Sequence, residues 1–170
     1  MTLSFFNLLV LFVSLSFLLA QLVVRKKHLS HILFAIFCGS ISMTLAQKIG
    51  GDAIGAYKYL IGIGTCATCN CYWLLSRSLF REKDAVAVQH LVLAAAISLL
   101  ILIQQGYSFA SATNLIDDSN SSIVRNFLSE FSVLLYSCTL VLSFWEGCRG
   151  YSSTSAQEKY QRLLFLVTYG

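Results

Sequence analysis

With 56% hydrophobic and only 12% charged residues in a chain of 170, this sequence carries about half the charge of an ordinary soluble domain, roughly 25%. So few charges do not keep a folded surface wet, which excludes a water-soluble fold. A net charge of +4 does not read as nucleic-acid binding, because no basic run exceeds Arg25-Lys26-Lys27 and no aromatics interleave with it.

Leu3 to Val24 reads as an uncleaved first span rather than a secretory signal. Its start lacks basic residues, the run is too long, and Arg25-Lys-Lys-His28 stands where a small-residue cleavage site belongs. Leu29 to about Ala46 forms a second span, just long enough at about 1.5 Å per residue. The third, about Ala53 to Phe80, exceeds the ~20 residues required and is expected to tilt or project. The fourth covers Ala85 to about Gln105. Gly106 to Ser122 is a polar loop in which Asp117-Asp-Ser-Asn-Ser-Ser122 offers N-caps to a fifth span, Ile123 to Trp145. A sixth apolar stretch from Leu163 reaches only about 12 Å by Gly170, so the chain is expected to be the front part of a longer protein or a truncated reading, with a short interfacial or packed helix as the alternative. Proline is absent, so no span is kinked by a prolyl ring.

Lys and Arg set the orientation. Nine of the twelve basic residues fall in the joints after spans one, three and five: Arg25, Lys26, Lys27; Arg77, Arg81, Lys83; Arg149, Lys159, Arg162. Lys48, Lys58 and Arg125 lie toward the other side with Asp52, Asp117 and Asp118. The positive-inside rule then places the N-terminus outside. The expected fold is an all-α integral membrane protein, a bundle of about five complete transmembrane helices plus a truncated sixth, with residues 1–170 as one multi-span domain.

Cys66-Ala-Thr-Cys69, followed by Cys71, has the spacing of a redox pair. Quinone-coupled exchange also needs cysteines in an external loop, and neither Gln47 to Tyr57 nor Gly106 to Ser122 contains one. In mid-span these thiols are inert and read as small residues. Gly55, Gly62, Cys66 and Cys69 recur at helical spacing, so this face should meet another helix. His28, His31 and His90 fall near the same ends of spans two and four, where facing imidazoles suit haem iron or a metal, but no carboxylate or Cys shares their spacing. No Ser-His-Asp set, phosphate-binding Gly loop or paired intramembrane carboxylate is present, so neither an enzyme nor a cofactor is expected.

Polar groups inside spans are the better functional candidates, because hydrocarbon penalises them unless they face a partner or a cavity. Asn70 lies mid-span, Glu130 about two turns into span five, and Gln104 and Gln105 close span four. With Asp117, Asp118 and Arg125 they would border an outward-facing ligand pocket. Interhelical hydrogen bonding is the plainer use of the same side chains.

The segment Tyr72-Trp-Leu-Leu-Ser-Arg-Ser-Leu-Phe80, followed by Arg81-Glu-Lys-Asp84, resembles the end of the third span in bacterial membrane-embedded AraC-type transcription regulators. Those proteins carry an aromatic-Trp-x-x-x-Arg-x-Leu-Phe segment there. Trp145-Glu-Gly-Cys-Arg-Gly150, leading through Gln157-Glu-Lys-Tyr-Gln-Arg162 into a new apolar run, is similar to their cytoplasmic joint before the last spans. The family-like positions are Trp73, Arg77, Leu79, Phe80, Glu146, Arg149 and Gly150. The resemblance implies seven spans in the bacterial inner (plasma) membrane and a cytoplasmic helix-turn-helix domain beyond residue 170. Its partners would be the lipid bilayer, an unidentified ligand, DNA only through that further domain, and a second copy of the chain. On their chemistry alone, Trp73 and Arg77 would serve as an aromatic belt and a snorkelling anchor. The competing classes are a quinone- or haem-linked membrane redox protein and a small membrane scaffold or transporter fragment.

Overall fold

A computed structural model of the protein describes residues 2–81, 86–116, 121–151 and 155–169. These fold into α1 (Thr2–Val23), α2 (Leu29–Gly50), a 3-10 turn (Gly51–Ile54), α3 (Tyr57–Ile63), a second 3-10 turn (Gly64–Ala67), α4 (Thr68–Phe80), α5 (Val88–Ala112), α6 (Ser121–Cys148) and α7 (Ala156–Tyr169), with no strand among the described residues. Four stretches are long and apolar enough to cross a membrane: Phe5–Val23, Leu29–Ile54, Val88–Ala112 and Ile123–Cys148.

The expected third span is not one helix. Gly51 and Gly55 take φ of +47° and +53°, a left-handed region that favours glycine, and they turn the chain out of α2 and into α3. A tighter turn at Gly64–Ala67 then separates α3 from α4. Such a break frees carbonyls that hydrocarbon cannot satisfy, and hydroxyls supply the partners. Ser40 Oγ donates to Gly64 O at 2.7 Å, Ser98 Oγ to Cys66 O at 3.3 Å, and Thr65 Oγ1 to Gly62 O at 2.7 Å.

Other boundaries also move. α5, at the place of the expected fourth span, runs on to Ala112, well into the expected polar loop, and is closed by Asn114 at φ +55° and by Leu115 N–H donating to Ala110 O at 2.9 Å. The acidic stretch Asp117 to Asn120 lies outside the described residues. The last helix starts at Ala156 rather than Leu163, with Ser155 Oγ accepting the Glu158 N–H at 3.4 Å.

α1 packs on α2, α2 on α3 and α4, α3 on α5, α4 and α5 on α6, and α7 on α6. The centre is α4. Its residues from Asn70 to Arg77 are buried on every side, and Cys71 to Leu75 form the core with Leu33, Phe37 and Ala94. By contrast Phe12, Val88 and Val141 on the long helices are 74%, 74% and 67% exposed. Polar groups inside and apolar side chains outside invert the order of a soluble protein, as lipid solvent requires. Hydroxyls and amides stitch the interior: Ser14 with Ser42 at 2.8 Å, Ser40 with Thr68 at 2.8 Å, and Asn70 Nδ2 donating to Ala94 O at 3.1 Å and Ser98 Oγ at 3.0 Å.

Candidate functional site

Where α4, α6 and α7 converge, the bundle buries a charged node. Glu146 stands in the last turn of α6, against the negative end of the helix dipole, so it needs cations beside it. Two arginines from the last turn of α4 and the residue just after it provide them. Arg77 Nη1 is bonded to Glu146 Oε1, and Arg81 grips the same carboxylate bidentately, Nε to Oε2 and Nη2 to Oε1, both at 2.8 Å. Arg77 and Glu146 are 5% and 4% exposed, so this is an interior ion pair. The snorkelling anchor expected at Arg77 is therefore corrected: the guanidinium turns inward because a carboxylate awaits it there. Trp73, expected in an aromatic belt, is likewise buried, with its ring near the Arg77 guanidinium and edge-on to His90 at 5.7 Å.

α7 joins the node through Arg162. Its Nη1 donates to the carbonyls of Glu146 and Gly147, each at 3.4 Å, and of Arg149 at 2.5 Å. Its Nη2 donates to Phe80 O at 3.2 Å. One cation thus caps the C-terminal carbonyls of both α6 and α4, the ends a helix leaves unsatisfied and negative. The guanidinium also lies 4.9 Å from the centre of the Phe80 ring. Phe165, one turn on, stacks on Tyr72 at 5.0 Å and meets Phe80 edge-on at 5.2 Å. Gly147 makes the close crossing of α6 and α7 feasible, since a Cβ there would stand 2.9 Å from Leu166 Cδ2.

The node unites residues from both family-like patches. Trp73, Arg77, Phe80 and Glu146 are in it directly, and Arg149 contributes its carbonyl while its side chain is exposed. Leu79 points outward, and Gly150 turns the chain at φ +72°. Glu82, Lys83 and Asp84 lie outside the described residues. Arg81 and Arg162, which the sequence presents only as topology charges, and Gly147 are its unforeseen members. Arg162 was marked by spacing: it shares a helical face with Phe165 and Leu166, where a lone cation needs a buried acceptor.

Three of the four polar candidates find a neighbour, each a different one. Asn70 bridges α4 to α5, Gln104 Oε1 accepts from Ser132 Oγ of α6 at 2.6 Å, and Gln105 lies against Gly62, whereas Glu130 is exposed. Asp117 and Asp118 lie outside the described residues. Of the small residues, Gly62 is buried against Gln105, Cys66 lies in the second 3-10 turn, and Cys69 lines a cavity of about 230 Å³ with Thr44, Thr68 and Tyr136. Gly55 belongs to no helix contact: it is exposed, and a Cβ there would meet nothing within 4 Å. Its role is the turn. The His28 and His31 rings are 5.6 Å apart, while His90 Nδ1 accepts the Ala87 N–H at 3.0 Å. Among the described residues no three His, Cys, Asp or Glu gather as metal ligands.

No protein-family model, curated protein or solved structure matches this chain.

Proposed function

We propose that the chain is the membrane-embedded sensory region of a transmembrane AraC-type transcription regulator in the bacterial inner membrane. In this reading the N-terminus is outside, α3 and α4 together make the third of five spans, and α7 opens a sixth. The node faces the cytoplasm, and the chain continues beyond residue 170 toward a helix-turn-helix domain.

The observation that carries the reading is the convergence of both family-like patches on one buried ion cluster that also holds α7. A sensor needs an element with two arrangements that a ligand stabilises unequally. α7 is suited to that part, because Arg162 and Phe165 fasten it to the ends of α4 and α6 through a few directional contacts rather than a broad apolar face. Sequencing the transcript beyond codon 170 tests the reading. Two further spans followed by a helix-turn-helix are expected; an in-frame stop directly after Gly170 overturns it.

A further inference from the structure

A second cavity, of about 350 Å³, lies between α1, α2, α4 and α7, at the node's end of the bundle. That size is in the range of small-molecule sites. Phe34, Tyr72, Leu75 and Phe165 give it an apolar, largely aromatic wall, and among the described residues no Lys, Arg, Asp or Glu lines it. Three polar residues complete it, Gln21 from the last turn of α1 and Ser30 and His31 from the first turn of α2. Gln21 Oε1 and His31 Nδ1 are both shut off from solvent and meet no hydrogen-bond partner among the described residues. Two orphaned polar atoms in one wall are costly, and a ligand that bonds them recovers that cost.

We propose that this cavity binds a neutral, hydroxyl-bearing apolar molecule that partitions into the bilayer. A charged ligand would lack a counterion here. With a turn of the two side chains toward the cavity, a hydroxyl donates to the Gln21 oxygen and accepts from the Nδ1–H tautomer of a neutral His31, while the body lies on Phe34, Tyr72 and Phe165. The position favours a lipid-dissolved source: the wall begins where α1 ends and α2 starts, beside Arg25, Lys26 and Lys27, the depth at which an amphipath rests its hydroxyl. Phe165 connects the site to α7, since it stacks on Tyr72 and is one turn from Arg162. The proposal rests on the sensory reading for this last consequence only.

The test uses the full chain in phosphatidylcholine nanodiscs, with 4-octylphenol as probe and octylbenzene as the hydroxyl-free control at equal mole fraction in lipid. Thermal stabilisation against probe concentration reads binding. Octylphenol should bind saturably and at least tenfold more tightly than octylbenzene, and Gln21→Leu and His31→Leu should each cut that ratio severalfold. Phe165→Ala should weaken both probes. The two Leu variants remove unpaired atoms, so without probe they should unfold no lower than the parent. Equal affinity for both probes, a ratio unchanged in both Leu variants, or two Leu variants that unfold well below the parent would overturn the proposal. No gene reporter is involved, so failure here removes the ligand and leaves the regulator reading standing, whereas a stop codon after Gly170 does the reverse.

Discussion

Glu146 is the residue on which the node turns, because a single carboxylate neutralises guanidinium groups reaching it from α4. Removing one partner of a buried pair leaves an uncompensated charge and costs about 3–5 kcal/mol, while replacing both with apolar groups is far milder. Glu146→Gln should therefore lower the unfolding midpoint in nanodiscs strongly, and the double variant Arg77→Met with Glu146→Leu should recover much of the loss. Arg81→Met should cost less than either single change at Arg77 or Glu146, since the Arg81 side chain is 25% exposed and Arg77 stays with the carboxylate. A Glu146→Gln protein as stable as its parent would show that the pair is not closed in the membrane. Sequence alone marked Glu146 and Arg77 as parts of two short patches, yet it did not join them. The partner of a charge is set by tertiary packing, and positions 77 and 146 lie far apart along the chain.

At the scale of elements, hydropathy revealed α1, α2, α5 and α6, whose long apolar runs leave little choice in lipid. It failed on the third span, where no proline marks a break. The interruption is carried by glycines and by hydroxyls on neighbouring helices, and Ser40 and Ser98 are distant in sequence from the carbonyls they serve. Two glycines flank this region with different tolerance. A Cβ at Gly62 would stand 2.7 Å from the far end of the flexible Gln105 side chain, which shifts at less cost than backbone. At Gly64 it would stand 2.6 Å from Met43 Cγ and 3.1 Å from Met43 Cβ, so the backbone of α2 has to give. Gly62→Ala should thus be close to neutral, Gly64→Ala should cost about 1–3 kcal/mol as overpacking does, and Gly62→Ile should destabilise by displacing Gln105 altogether. Protease resistance in detergent ranks the three; Gly62→Ala falling below Gly64→Ala would mean that α3 packs on a different face.

For the whole molecule, the chain's basic joints and its packing point to the same end. Arg77, Arg81 and Arg162 meet in the node, and the cavity that joins Gln21 and His31 to Tyr72 and Phe165 brings the loop of Arg25, Lys26 and Lys27 alongside. At the opposite end Lys58 pairs with Asp52 at 3.0 Å, so much of its charge is locally balanced. The positive-inside rule orients a membrane chain by an asymmetry of this kind, which is legible in a sequence because it depends on composition along the chain rather than on contacts. The most direct measurement is a set of topology reporters fused after Lys27, Lys83 and Asp118 in living cells. The proposed orientation predicts cytoplasmic activity for the first two and external activity for the third; the reverse pattern, or the same side for all three, would contradict it.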